Sequence, residues 1–252
     1  MLVTLISLPI VLFQLNRKEF KQYFKISFIP ALFIIGEVFF QILGLKYTTP
    51  SQAAFITTLF IIMVPLLEIY FSKNQISRWH WAWVALSLLG TYLIVGGEIA
   101  RVSVGDFIIL ISALCVSFHI IIIGKISASS LGLFKLNLFQ SYWGFLLTAP
   151  LFFFEPVIKF AQVKTHSWVG LLALTFGTTM LAFYFQLRAQ RTVSASAASL
   201  LFLLESPIAA IFSYFLAGER LSILQLVGCI TVLLSATGVI LSNSAKRNDL
   251  KL

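Results

Sequence analysis

Charge is what this sequence has least of. Only 11% of its 252 residues are Asp, Glu, Lys or Arg, where a soluble domain carries about a quarter. With 59% hydrophobic residues and a mean hydropathy of +0.97, the chain cannot clothe a globule of its size in water, so lipid is the expected solvent for most of its surface. Cysteine is nearly absent as well. Cys115 and Cys229 both lie deep in apolar stretches, which excludes a disulfide framework or a thiolate metal cluster and leaves them as small packing residues. No basic n-region and no small-residue cleavage site follow Met1, so no signal peptide is expected. No GxxxxGK[ST] loop occurs, which excludes direct drive by ATP. The formal net charge of +9 would suggest nucleic acid in a soluble protein. Here the excess sits in short polar joints between apolar runs, so it carries topology and nucleic acid is not an expected partner.

What is abundant is long apolar runs. Stretches with little or no charge occupy 2–15, 26–45, 50–72, 79–97, 107–124, 136–154, 167–187, 193–217 and 221–242. Each but the first is long enough to cross a hydrocarbon core of about 30 Å at about 1.5 Å per residue. A span in lipid must satisfy its own backbone hydrogen bonds, and no strands of alternating polarity suggest a barrel. The expectation is an all-α integral membrane protein of about nine transmembrane helices. Basic residues then orient it. One set of alternate joints, which includes Arg17, Lys21, Lys125, Arg191 and Arg247, holds thirteen cations. The other holds five: Lys46, Arg101, Lys159, Lys164 and Arg220. The positive-inside rule places Lys21, Asn74, Gly132 and the C-terminus in the cytoplasm, and Ala100, Lys164 and Gly218 outside. The N-terminus then falls outside, as though a helix were missing before it.

A shift of 144 residues aligns Ala53-Ala54 with Ala197-Ala198, Leu59 with Leu203 and Tyr70-Phe71 with Tyr214-Phe215. Both stretches start with small and hydroxylated residues and cross a mid-helix proline, Pro65 or Pro207. By the charge-derived topology the first runs inward and the second outward. The repeats are therefore expected to be inverted, an arrangement that in transporters puts the site near the midplane.

At these residues the chain resembles the drug/metabolite transporter superfamily, and specifically the EamA-type permeases. In the first repeat the resemblance rests on the run from Gly44 through Thr49-Pro50-Ser51-Gln52 to Ile56, followed by Val64-Pro65-Leu66-Leu67. In the second it rests on Ala197-Ala198-Ser199-Leu200, Leu204-Glu205 and Gly218-Glu219-Arg220-Leu221-Ser222, then Gln225 and Gly228. Two departures stand out. Ser206 occupies a place where the family commonly has proline, with Pro207 one residue later. The family has ten helices in two sets of five, and here the first set has four. The expected organisation is a first repeat over 1–100 lacking its first helix, a second over 101–243, and a cytoplasmic tail over 244–252. The resemblance implies a carrier of small metabolites or drugs, usually an exporter, in a bacterial cytoplasmic (inner) membrane, and leaves a homodimer open.

Polar residues inside the apolar runs are the site candidates, because a carboxylate at the bilayer centre costs about 2.5–3.5 kcal/mol and tends to face a cavity or a partner. Glu37 and Gln41 share a helix face, as do Ser112, Cys115 and His119. With Tyr184 and Glu205 they make the expected substrate-binding set: Glu37, Gln41, Ser112, His119, Tyr184 and Glu205, converging on one polar cavity. Glu37 or His119 would carry any coupling to protons. The bland reading of the hydroxyls and glutamines is inter-helix hydrogen bonding. Glu68, five residues from Lys73, is expected to reach the cytoplasmic interface. Trp79, Trp81 and Trp83 read as an interfacial belt. An intramembrane enzyme is the rival class, but three histidines, with Ser117 and His119 on opposite helix sides, supply no catalytic or metal constellation. A third reading is an inactive or accessory remnant of a longer permease.

Overall fold

The computed structural model describes residues 16–73, 75–96, 101–150, 165–218 and 220–249. Segment 2–15, with the expectation that it is a short first helix, lies outside them, as do Asn74, Ala100 and Lys164. The described residues form helices and connecting turns, and no strand is found among them. In chain order the helices are α1 (Arg17–Gly44), α2 (Pro50–Thr57), α3 (Phe60–Ser72), α4 (Arg78–Ile94), α5 (Val104–Ser127), α6 (Leu133–Thr148), α7 (Thr165–Ala173), α8 (Phe183–Ala189), α9 (Ala195–Phe202), α10 (Glu205–Phe212) and α11 (Ile223–Asp249). Two wider π-helical segments, Leu174–Ala182 and Ser213–Ala217, continue α7 and α10.

Among the described residues, six stretches are long and apolar enough to cross a membrane: Arg17–Gly44, Pro50–Ser72, Val104–Ser127, Ser167–Ala189, Ala195–Phe215 and Ile223–Ser242. The sequence reading counted nine. The described parts of two further runs, α4 and α6, have 17 and 16 residues, which at about 1.5 Å each fall short of a full hydrocarbon core. Large apolar side chains such as Leu66, Phe215, Ile223 and Leu234 stand exposed, as lipid-facing residues do.

Local chemistry sets the boundaries. Thr49 caps α2, its hydroxyl accepting from the Gln52 N–H at 3.2 Å, with Pro50 at the first helical position. Ser194 caps α9 by accepting from Ala197 N at 3.2 Å. Ser222 and Gln225 form a reciprocal capping box at the head of α11, as Ser103 and Asp106 do at the head of α5. The spans holding Pro65 and Pro207 are both broken, at Thr58-Leu59 and Leu203-Leu204. Pro207 cannot donate to Leu203, and its ring crowds that carbonyl. Under the 144-residue shift Leu59 falls on Leu203, so the two breaks overlap at that one position.

The chain divides into two compact units. One takes the chain up to Ile35 together with Ile122–Thr192; the other takes Gly36–Ile121 and the chain from Val193 onward. The core of the first joins Tyr23, Ile123, Leu136, Phe139 and Leu187. Trp143 donates its indole N–H to the Phe24 carbonyl at 2.7 Å, and Arg191 ties the loop after α5 by donating to the Ser127 and Leu131 carbonyls at 3.0 and 2.6 Å. Asn137 on α6 donates to the carbonyls of Thr179 and Met180, at 3.0 and 3.1 Å, in the π-helical segment where the helix ladder is widened.

The second unit is built on Ile61, Val64, Val84, Ile120, Leu200 and Val232. Its tightest seam runs between α4 and α11. A Cβ on Gly228 would lie 2.6 Å from the Gly90 carbonyl oxygen, and one on Gly238 would strike the Trp83 ring at 2.4 Å. Along the same seam the Ser87 and Ser235 hydroxyls share a 2.6 Å bond, and Ser235 also bonds the Trp83 carbonyl at 2.8 Å. Small residues let two backbones approach, and hydroxyls then join them.

Candidate functional site

Five of the six candidate residues fall in the second unit: Glu37, Gln41, Ser112, His119 and Glu205. Tyr184 belongs to the first, half-buried with its ring 6.3 Å from that of Phe134.

Glu37 and Gln41 sit one turn apart on α1, both half-buried. Alongside runs α5, where Ser112 is fully buried and donates its hydroxyl to the Glu37 backbone carbonyl at 2.9 Å. The approach is allowed by Gly36, whose absent Cβ would stand 3.3 Å from Cys115 Sγ. His119 lies seven residues along α5 from Ser112 and is also buried.

Glu205 opens α10 just after the break at Leu203-Leu204. A carboxylate is favoured there, because the first turn of a helix presents unpaired N–H groups and the positive end of the dipole. Its side chain is exposed, and it acts electrostatically on the Glu37 carboxyl, which in turn acts on the Cys115 thiol. Two carboxyls thus lie within reach of each other inside apolar spans, one on α1 and one beside a helix break. Among the described residues no group of three or more His, Cys, Asp and Glu gathers closely enough to hold a metal.

Two carboxylates proved more structural than their sequence context suggested. Glu68 does not reach the interface as expected. It is buried on α3 and accepts from Ser196 at the head of α9, from the backbone N–H at 2.9 Å and from the hydroxyl through a short bond. The α9 helix packs along α3, and the acid anchors its uncapped N–H groups. His80 at the start of α4 lies in electrostatic reach of the same carboxylate. The sequence signal was available in the helix-opening serine run Ser194–Ser196, but its partner lies 128 residues away.

Asp106 was not singled out at all. Buried in the first turn of α5, it accepts from Thr48 Oγ1 at 2.6 Å, from Gln52 Nε2 at 2.6 Å and from Ser103 N at 2.7 Å. It pins the ends of three spans together. Gly44 and Gly105 make this approach feasible, since a Cβ on Gly105 would lie 2.7 Å from the Gly44 carbonyl oxygen. The Ser103-x-x-Asp106 capping box was legible in the sequence; the Thr48 and Gln52 partners were not.

Comparison with known proteins gives this geometry its context. The chain matches the EamA-like transporter family over residues 1–96 and 103–241. It is 30% identical over 217 residues, 86% of this chain and 68% of the relative, to an uncharacterized transporter of Archaeoglobus fulgidus. It is 23% identical over 233 residues, 89% of this chain and 75% of the relative, to the uncharacterized transporter YyaM of Bacillus subtilis. A solved crystal structure with 18% identity shares the fold at a TM-score of 0.73, covering 86% of this chain and 76% of that one. Apolar spans, a lipid-compatible surface and a match along nearly the whole chain agree: this protein is an integral membrane protein that belongs to the EamA-like transporter family.

Proposed function

We propose that the protein is a secondary-active or facilitative carrier that exports small metabolites or drugs across a bacterial cytoplasmic membrane by alternating access. The fold in this reading has nine helices in two inverted repeats, 1–100 and 101–243, with 244–252 as a cytoplasmic tail. Matching breaks at Leu59 and Leu203 in the two proline-containing spans support the repeat, since transporters of this kind place their sites at interrupted helices. Export is the direction that the family resemblance implies.

The substrate site in this reading is formed by Glu37, Gln41, Ser112, His119 and Glu205 of the second unit. Within it Glu37 and Glu205 recognise the charged or proton-bearing part of the cargo, and Ser112 holds α1 against α5. The single observation that supports this is the place of Glu37, half-buried on an apolar span where Ser112 of α5 donates to its backbone carbonyl at 2.9 Å, because a carboxyl within a membrane is costly unless it serves a cavity or a partner. Proton coupling runs through Glu37 or His119. The assembly to test is a homodimer.

Transport in proteoliposomes with and without an imposed pH gradient tests the site. Glu37→Gln and Glu205→Gln should each lower the rate by about tenfold or more, the equivalent of about 1.4 kcal/mol. Full gradient-driven transport by both Glu37→Gln and His119→Ala would remove the coupling role from these residues.

A further inference from the structure

Apart from the Glu37–Glu205 region, the second unit carries a polar cavity of about 350 Å³ lined by Lys46, Tyr47, Thr48, Thr49, Gln52, Arg101 and Ser103. It lies where three spans end: α1 finishes at Gly44, α2 begins at Pro50 and α5 at Val104. That is the depth at which lipid headgroups and water meet the protein.

The donors here are unequally engaged. Thr48 and Gln52 are committed to Asp106, whose two oxygens accept three bonds from neutral donors. Lys46 and Arg101 are exposed and form no ion pair among the described residues. Two cations against one carboxylate leave the cavity with one net positive charge. Their placement is itself unexpected. On the charge-derived topology this is the side that basic residues avoid, yet two of its five cations line the same cavity. Cations serving only as anchors would have no reason to converge.

We propose that this cavity binds a phosphate-type oxyanion, with Lys46 and Arg101 supplying the charge and the Asp106 bonds holding the walls. The guanidinium of Arg101 suits a bidentate contact with such a group, and Lys46 supplies a point charge beside it. The source is either the headgroup of an anionic lipid or a free anion at the membrane surface.

The purified full chain in neutral detergent separates these cases. It is titrated with inorganic phosphate at constant ionic strength, and in parallel its micelles are doped with phosphatidylglycerol; the melting temperature is read in both. The wild type should show a saturable rise in at least one arm, and so should a Lys18→Gln/Lys21→Gln control that removes equal charge from exposed positions at the start of α1. The Lys46→Gln/Arg101→Gln variant should need about tenfold more ligand, with its unliganded melting temperature unchanged to within about 2 °C. If it melts early, Lys46→Gln and Arg101→Gln singly should each weaken the response by an intermediate factor. A rise with phosphate alone identifies a free anion, a rise with phosphatidylglycerol alone a lipid headgroup, and a rise with both a site open to either. No saturable rise in either arm, or a rise that the double variant retains in full, overturns the proposal.

Discussion

At the scale of single residues the useful distinction is between carboxylates bonded across helices and the carboxylates proposed to meet cargo. Glu68 and Asp106 are buried and hydrogen-bonded by neighbours, whereas Glu205 is exposed and Glu37 half-buried. The two kinds should respond differently to mutation. Ser196→Ala takes one donor from buried Glu68 and should lower stability by about 1–3 kcal/mol, read as an earlier thermal melt in detergent, without changing which solutes are carried. Asp106→Asn keeps the shape but turns one acceptor oxygen into a donor facing the donors Thr48, Gln52 and Ser103, and should destabilise by a similar ~1–3 kcal/mol. A melt unchanged in both variants would mean that these bonds are not what holds the span ends. The sequence marked Glu37, Glu68 and Glu205 alike, as polar residues in apolar runs. It could not separate Glu68 from the other two, because the Ser196 that bonds it is far along the chain.

Among elements, the α4–α11 seam and the π-helical segment show how membrane helices use small and amide side chains instead of apolar burial. Gly228 and Gly177 make a paired test. A Cβ at Gly228 meets backbone atoms of Gly90 and Ile94 at 2.6 and 2.7 Å, atoms that cannot turn aside, while one at Gly177 meets nothing within 4 Å. Gly228→Ala should therefore cost about 1–3 kcal/mol through forced separation of the two helices, and Gly177→Ala should leave the melting temperature unchanged or slightly higher. Equal melts for the two would contradict the close approach. Asn137→Leu keeps the volume but leaves the Thr179 and Met180 carbonyls without their donor. Its predicted cost is about 1–2 kcal/mol, with faster amide exchange expected in 174–182. The helical character of these elements was legible, since uninterrupted apolar runs in lipid admit little else. The breaks at Leu59 and Leu203 were only half legible: the prolines announced them, but for Pro65 the interruption falls at Thr58-Leu59, further upstream than its own missing hydrogen bond requires. The π-helical widening had no sequence signal that a reader could have used.

For the whole molecule, composition alone settled that lipid is the solvent, and the ordered motifs pointed to the family that the comparisons established. The span count was less legible. Apolar length in the sequence does not reveal where a helix stops: α4 ends at Ile94 and α6 at Thr148, and the ends of their predicted runs, 97 and 151–154, lie outside the described residues. The thirteen-to-five asymmetry of cations predicts the orientation. Single cysteines at Lys21 and Gly132 should label from the cytoplasmic side and one at Gly218 from outside; the reverse pattern would invert the scheme.

The central claim is carriage of a solute through a carboxylate-bearing path within the membrane, and flux through the purified protein tests it most directly. In proteoliposomes loaded with a panel of amino acids, other metabolites and amphipathic drugs, the wild type should move at least one solute saturably above protein-free vesicles. An imposed pH gradient should change that rate, and Glu37→Gln should cut it by about tenfold or more. Folded, inserted protein whose flux matched empty vesicles across the panel would contradict the account.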